Sequence, residues 1–412
     1  MIMSREMKDS GVEEIGMIPN NWNLAKLWLL FNAKAGGDAK LDLYSDICDK
    51  EHPYPVYTNS SIETQVYAYS TTPMFKENTI TVTGRGDIGR AFFRDHPYDA
   101  IIRLISLSPI KELDCKYYTY WINEAIIFFT DNAAIGQLSA AQIGQYMVSV
   151  LPLNEQKKIS SYLDEQRDVI DKIVVKTKQT IEEYKKLKQT IITEAVTKGI
   201  RKNRPMKDSG IEWIGEIPEN WVMLRGKGLF VESDVRSTDG VGELLTVSQY
   251  TGVTPRSYKN VNMFEAESLE NYKICKIGDI AANTMWLWAG AIGVSQYDGL
   301  ISPSYNVYQQ KNNSYLSKYL DHLLRTPKLV QCFESLSTGI RSSRLRLYPQ
   351  QFLGIYYPVP PIEEQKEIVD YLNVKCSEIN MLISNKENLL DELESYKKSL
   401  IYEYVTGKKQ VP

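Results

Sequence analysis

What this sequence lacks narrows it quickly. Its 412 residues hold no run of 18 or more apolar side chains, about the length a helix needs to cross a bilayer. The start, MIMSREMKDSG, has no apolar stretch of the kind a secretory signal carries, which predicts a cytoplasmic protein with no membrane role. Five cysteines, Cys48, Cys115, Cys275, Cys332 and Cys376, stand singly without a C-x-x-C pair, so neither a zinc knot nor a disulfide framework is expected. The three histidines, His52, His96 and His322, have no carboxylate or cysteine pattern beside them that would make a metal or nucleophile site. A translocase phosphate loop, G-x-x-x-x-G-K-[ST], is missing, and so are a methyl-donor glycine loop and the Asp/Asn-Pro-Pro-aromatic signature of adenine methylation. The chain is therefore expected to be no enzyme by itself, with no catalytic, cofactor or metal residues of its own. An excess of positive charge is missing too: 48 Lys and Arg against 51 Asp and Glu, a formal net charge of −3, do not announce nucleic acid.

What is there is a duplication. MKDSGVEEIGMIPNNW, Met7 to Trp22, returns as MKDSGIEWIGEIPENW, Met206 to Trp221, with 12 of 16 positions identical at a shift of 199. Farther on the shift is 209, where Glu155-Gln156-Lys157 faces Glu364-Gln365-Lys366 and ITEAVT faces IYEYVT. Apolar or semi-polar residues then recur in steps of three or four at Ile159, Leu163, Gln166, Ile170, Ile173, Thr177, Ile181, Tyr184, Leu187, Ile191 and Ala195. The second copy repeats them at Ile368, Leu372, Lys375, Ile379, Leu382, Lys386, Leu390, Leu393, Tyr396, Leu400 and Tyr404. Such spacing is the seam of a coiled coil and predicts two long helices that pair, most simply antiparallel, as a rod of roughly 65 Å. Gln166, Thr177, Lys375 and Lys386 are polar seam positions, read either as register markers or as side chains facing solvent at the seam's edge.

Each helix follows a globular part rich in short β-branched or aromatic runs, NTITVTG, AFFR and IIRLISL in the first, ELLTVSQY and YNVYQQ in the second. KYYTYWINEAIIFF and LSKYLDHLLRTPKLVQCFESL read as helices between strands, so both parts are mixed α/β. Gly86 and Gly89 fall opposite Gly290 and Gly293 and predict a tight turn between strands. The expected fold class is α+β, or mixed α/β, with two globular domains separated by an antiparallel coiled coil and an internal tandem duplication. Its divisions are 1–151, a helix 152–197, a basic linker 198–205, 206–360, a helix 361–406 and a tail 407–412.

A duplicated α/β part followed by P-[PL]-x-E-Q-x-x-I, closing on EAVTKG or EYVTGK, with KDSGIEWIGEIPENW opening a half, resembles the specificity subunit of type I restriction-modification systems. The resemblance covers nearly the whole chain. It implies that the globular parts are target recognition domains, each reading one half of a bipartite, asymmetric double-stranded DNA site. It further implies that the helices hold them apart and dock two methyltransferase subunits, with motor-nuclease subunits joining through these. Methyl donor, ATP and Mg²⁺ would then sit on the partners. Glu14 departs from the pattern, standing where the second copy has Trp213. A coiled-coil scaffold that binds proteins and no DNA is the competing reading.

DNA-reading loops differ between family members, so base readers must be argued physically. Residues 7–151 carry 12 Lys and Arg against 17 Asp and Glu, and residues 206–360 carry 15 against 15, so local clusters must do the binding. STGIRSSRLRLY offers Arg341, Arg344 and Arg346 with Ser342 and Ser343, arginine being able to fork onto guanine edges or grip phosphates. In the first part Arg85, Arg90 and Arg94 flank the glycine turn, and Asn59, Ser60, Ser61 and Gln65 offer amides and hydroxyls. In the second, Gln249, Tyr250 and Asn283 are candidates, whereas Trp286 and Trp288, one residue apart on an expected strand face, are expected to pack in a core.

Overall fold

The computed structural model describes residues 5–128, 136–259, 268–339 and 345–412. Two compact units emerge: Met1–Thr177 with Asn388–Pro412, and Lys178–Glu387. Each unit thus owns a globular part and a stretch of both long helices, α2 (Leu153–Lys198) and α5 (Ile362–Val405). Neither helix contains glycine or proline. Each begins just after a proline, Pro152 or Pro361, and stops near a glycine in the left-handed region, Gly199 at φ 74° and Gly407 at φ 73°.

Pairing of the helices can be read within each unit. In the first, Asp171 meets Lys397 at 2.5 Å while Tyr162 meets Tyr404 at 3.3 Å, one number rising as the other falls, so the helices run antiparallel. In the second, Lys188 donates to Asn380 at 2.8 Å, and Arg201, just past the end of α2, pairs with Glu367 near the start of α5 at 2.7 Å, again antiparallel. Lys188 and Lys397 are duplicated positions, as are Asn380 and Asp171, so the two units repeat one cross-helix contact.

The expected seam needs a correction at four places. Ile173, Leu187, Leu382 and Tyr396 are 43%, 47%, 43% and 54% exposed, whereas Ile170, Ile181 and Ile379 are buried. After Ile170 and Ile379 the inward path takes a step of four, to the half-buried Val174 and Ile383, leaving the next predicted apolar residue on the outer face. Among the expected register positions Thr177 is buried, and Gln166, Lys375 and Lys386 are half-buried; Lys375 turns to Glu378 of its own helix at 2.9 Å.

Both globular parts are built on one plan. In the first, β1 (Phe31–Ala35), β2 (Thr79–Val82), β3 (Ala91–Arg94) and β4 (Ile105–Pro109) form an antiparallel sheet in the order β1-β4-β2-β3. In the second, β5 (Phe230–Ser233), β6 (Ile280–Asn283), β7 (Ile292–Val294) and β8 (Tyr305–Gln310) repeat it as β5-β8-β6-β7. Helix α1 (Cys115–Ala125) covers the first sheet, burying Tyr117, Tyr118, Trp121 and Ile122. In the second unit α3 (Ser317–Leu324) and α4 (Pro327–Leu336) replace the single helix read from the sequence, because Pro327 forces a break at Thr326.

The shared sequence motifs serve as bolts between these layers. Gln156, 2% exposed, accepts from the Asp114 amide at 2.9 Å and donates to Leu151 O at 2.9 Å. Gln365, fully buried, accepts from the Leu316 amide at 2.8 Å and donates to Ser314 O and Pro360 O. Beside them Glu155 takes Arg5 at 2.6 Å and Trp22 Nε1 at 3.1 Å, and Glu364 takes the Arg204 guanidinium through both oxygens. Tyr117 donates to Val405 O and Tyr319 to Val196 O, both at 2.7 Å, so each globular part is tied to the end of the helix that comes from the other copy. Two of the four cations of the 198–205 stretch, Arg201 and Arg204, are therefore ion-paired inside their own unit.

Candidate nucleic-acid interface

The end of each sheet where the β2–β3 or the β6–β7 turn lies is where polar loops converge. In the first unit the turn after β2 is closed by Gly89 N–H donating to Thr83 O at 2.8 Å and by Arg90 N–H donating to Thr83 Oγ1 at 2.9 Å. Gly86 and Gly89 take φ 72° and 84°, as expected for a tight turn, and a Cβ on Gly89 would strike the Phe128 ring. Gly293, its expected counterpart, lies inside β7; there glycine is needed because a Cβ would come within 3.1 Å of the Gly252 backbone.

Asn59 organises this tip. Its Oδ1 accepts from the Gly84 amide at 2.7 Å and its Nδ2 donates to Ile102 O at 2.5 Å, so three loops meet on one side chain. Leu138 N–H donates to Gly84 O at 2.9 Å and Arg85 to Gln137 Oε1 at 3.1 Å, adding a fourth loop. Ser60 donates to Gln65 at 2.5 Å, leaving the exposed Ser61, Gln65 and Arg85 on the outer rim. Of the predicted readers, then, Asn59, Ser60, Ser61, Gln65 and Arg85 come together, with Asn59 and Ser60 positioning the others. Arg103 joins them, a residue that gives no signal in the sequence because it sits alone in an apolar run.

Arg94 is a correction. It is 4% exposed, bonds Thr81 Oγ1 at 3.0 Å and Glu63 O at 2.9 Å, and lies over the Tyr57 ring at 3.6 Å, so its guanidinium is taken up by protein groups in the wall of a cleft and is not displayed at the tip. Burial pushes its pKa down, an effect opposed by Tyr57. Arg90 is half exposed, pairs with Asp87 at 3.5 Å and lines a cleft of about 560 Å³ with Lys116, Glu124, Asp164 and Arg167. Several of these groups bond one another: Asp164 accepts from Lys116 at 2.8 Å and Tyr120 at 2.5 Å, and Tyr120 accepts from Arg167 at 3.1 Å.

In the second unit the tip has different chemistry. Asn283 is 7% exposed, donates to Tyr305 OH at 3.0 Å and accepts from the Met285 amide at 3.2 Å, which makes it a turn-former and removes it as a direct base reader. The tryptophans do not pack in a core as expected, nor do they lie on a strand. They sit in the turn after β6, stacked at 5.8 Å, with Trp286 and Met285 each 49% exposed. Trp288 Nε1 holds the turn by donating to Met285 O at 2.9 Å, and Thr284 donates to Ser304 O at 2.6 Å. Gln249 and Tyr250 stand apart from this turn, their carbonyls capped by Arg325, with Tyr250 82% exposed. Arg346 is exposed and bridges Thr338 backbone to backbone, whereas Arg341, Ser342, Ser343 and Arg344 lie outside the described residues.

Residues 19–183 match the type I restriction modification DNA specificity domain. A type I specificity subunit of Mycoplasma pneumoniae, S.MpnORF89P, is 35% identical over 129 residues, 31% of this chain and 38% of that one. The chain belongs to the type I specificity-subunit family. In the Methanocaldococcus jannaschii MjaX specificity subunit the likeness is more extended, 24% over 334 residues, covering 75% of this chain and 72% of that one. Over the first two Mycoplasma pneumoniae relatives the matched stretch spans under two fifths of their length. Fold likeness is broader: a chain from a type I R-M complex superposes with a TM-score of 0.68 at 13% identity, over 94% of this chain and 98% of that one. The HsdS subunit of Thermoanaerobacter tengcongensis gives 0.51 at 12%, over 95% and 98%. These relatives support the DNA-specificity reading and not the protein-only scaffold. They also account for the duplicated α/β plan with two long helices.

Within the family frame, the Glu14 departure has a local account. Glu14 is exposed and its carbonyl, with that of Ile15, accepts from Tyr402 OH at 3.0 and 3.2 Å. Tyr402 stands where α2 has Thr193, so an aromatic missing from the turn in one copy is supplied by the helix.

Proposed function

We propose that this chain is the DNA-reading, non-catalytic component of an adenine-methylating type I restriction-modification complex. The first sheet tip, with Ser61, Gln65 and Arg85, reads one half of a bipartite asymmetric site; the second tip, with Trp286 and its neighbours, reads the other. The observation that carries this is the repetition of one sheet order, with its loops converging at one end, on two units of a duplicated chain of this family. The differing tips fit an asymmetric site, because duplicated scaffolds with different surface groups recognise different base sequences.

Two methyltransferase subunits are the proposed partners, joined by motor-nuclease subunits, and the complex works in the cytoplasm. Support comes from exposed apolar residues repeated at equivalent helix positions: Ile173 and Tyr396 in one unit, Leu382 and Leu187 in the other. Outward apolar side chains at repeated sites suit two copies of one partner. Methyl donor, ATP and Mg²⁺ belong to those partners in this reading, and phosphate neutralisation comes largely from them, so the isolated acidic chain binds DNA weakly. Mapping methylated adenines genome-wide with and without the gene tests it. A two-part motif that vanishes on deletion is expected; an unchanged methylome refutes the proposal.

A further inference from the structure

We infer that Arg103, presented by a strained turn, is a DNA-contacting specificity residue of the first unit; the inference rests on the DNA-reading function proposed above. The turn Ile101–Leu104 is closed by Leu104 N–H donating to Ile101 O at 3.1 Å. Its central residues, Ile102 and Arg103, both lie in the left-handed region, at φ 53° and 59°. Two consecutive positive φ values define the mirror-image turn that Asn-Gly normally fills, and for a β-branched isoleucine the conformation is a clear outlier. Strain of this kind persists only where the surroundings over-determine it.

The surroundings do so here. Ile102 N–H donates to Gly37 O at 3.0 Å, Ile102 O accepts from Asn59 Nδ2 at 2.5 Å, and Gly36 N–H donates to Leu104 O at 2.8 Å. A Cβ on Gly36 would lie 2.4 Å from Ala100 O, so a glycine is required for the segment that pins the turn to approach it. The result is outward display: Ile102 is 49% exposed and Arg103 is exposed. Of the nearby arginines, Arg94 is buried, Arg90 is paired with Asp87, and Arg85 makes one exposed bond, to the neutral amide of Gln137. Arg103 has no such partner among the described residues. It also leaves the backbone beside Gly84, whose Cβ would lie 3.4 Å from Arg103 O, so Arg103 and Arg85 rise from one point of the tip. The corresponding turn before β8 is Ser302-Pro303-Ser304, with no cation, so this group distinguishes the two tips.

An exposed guanidinium without a partner among the described residues, at a polar rim, suits DNA, either as a fork onto a guanine edge or as a grip on phosphate. The test uses the full complex with its methyltransferase subunits and duplexes carrying the motif defined by methylome sequencing, intact or with the first half-site scrambled. Binding is measured across salt concentrations for wild type, Arg103→Ala, Arg103→Lys, Ile102→Gly and the control Lys111→Ala at the far end of β4. Arg103→Ala is expected to weaken binding to the intact motif by about 10- to 100-fold, and the control by about twofold or less. Lys restoring affinity, with an unaltered salt slope, assigns a phosphate contact, whereas Lys behaving as Ala assigns a base edge. Ile102→Gly is expected to raise the thermal midpoint while weakening first-half-site discrimination, which a merely structural turn would not do. Arg103→Ala binding as tightly as Lys111→Ala, in a complex whose wild type discriminates, overturns the inference alone. A wild type that does not discriminate removes the proposed function with it.

Discussion

At the scale of single residues, burial separates arginines and aromatics that look alike in sequence. Arg94 and Arg85 both flank the same turn, yet one is 4% exposed under a tyrosine ring and the other reaches the rim. Replacing Arg94 with Ala removes charge-assisted bonds to Thr81 and Glu63 and opens a hole beneath Tyr57. We expect a loss of about 2–3 kcal/mol of unit stability with the methylated motif unchanged, measured by denaturant unfolding and methylome sequencing. Trp286 predicts the opposite pattern. Half exposed in a turn held by Asn283 and Trp288, it carries little fold stability. Its replacement by Ala is expected to leave the thermal midpoint within about 2 °C and weaken binding at the second half-site by about 1–3 kcal/mol. Tryptophan fluorescence during titration with duplex DNA offers a direct check, since a buried-role residue would not respond.

At the scale of elements, the Glu-Gln pair at the head of each long helix explains why that short motif recurs. The glutamine satisfies backbone groups of a buried loop, and the glutamate clamps an arginine from the chain entering the same unit. Glu364 is 1% exposed and, although burial alone would raise its pKa, Arg204 holds it below the usual range. Arg204→Ala would leave that carboxylate buried and unpaired, costing about 3–5 kcal/mol, detectable as early unfolding of the second unit. Across the helix pair, Asn380 occupies the place where the other copy has Asp171 opposite a lysine. Asn380→Asp should therefore add about 0.2–1 kcal/mol to the second unit, fading at high salt.

His322 supplies a pH dependence. It occupies the position that Tyr120 holds in the first unit, and burial lowers its pKa from 6.5, with Asp321 opposing and Arg325, Lys188 and Lys318 assisting. The folded state thus binds fewer protons than the unfolded chain. Stability from this group is complete above the unfolded value and falls as pH drops through it toward the folded value. Thermal midpoints measured from about pH 7.5 down to about 5.5 should decline, and His322→Gln should flatten the decline.

At the scale of the whole molecule, α2 passes from one compact unit to the other at Thr177 and Lys178 without a break in the helix. If helix length sets the separation of the two half-sites, one heptad added to each helix at facing positions keeps the seam in phase and adds about 10 Å. That is about 3 base pairs of DNA at about 3.4 Å each, and methylome sequencing of the extended variant should show the longer gap. Two added residues instead rotate the seam out of contact and should destroy activity. Exchanging residues 23–150 for the equivalent part of a relative should alter one half of the motif only; a change in both halves would contradict modular reading.

By itself the sequence determined the duplication, the mixed α/β class, the two long helices and the family resemblance. These are matters of local periodicity and of repeated order, and both survive without knowing which residues touch. The seam was legible except where Ile173, Leu187, Leu382 and Tyr396 turned outward, because steps of three and of four are equally helical and only the partner helix selects between them. Tertiary structure alone decided the tips. Asn59 joins loops some 25 and 43 residues away, Arg94 is drawn inward by Tyr57, and Arg103 is set in a left-handed turn that its own residue type disfavours. Such placements arise from long-range hydrogen bonds and burial, which local spacing in a chain does not encode.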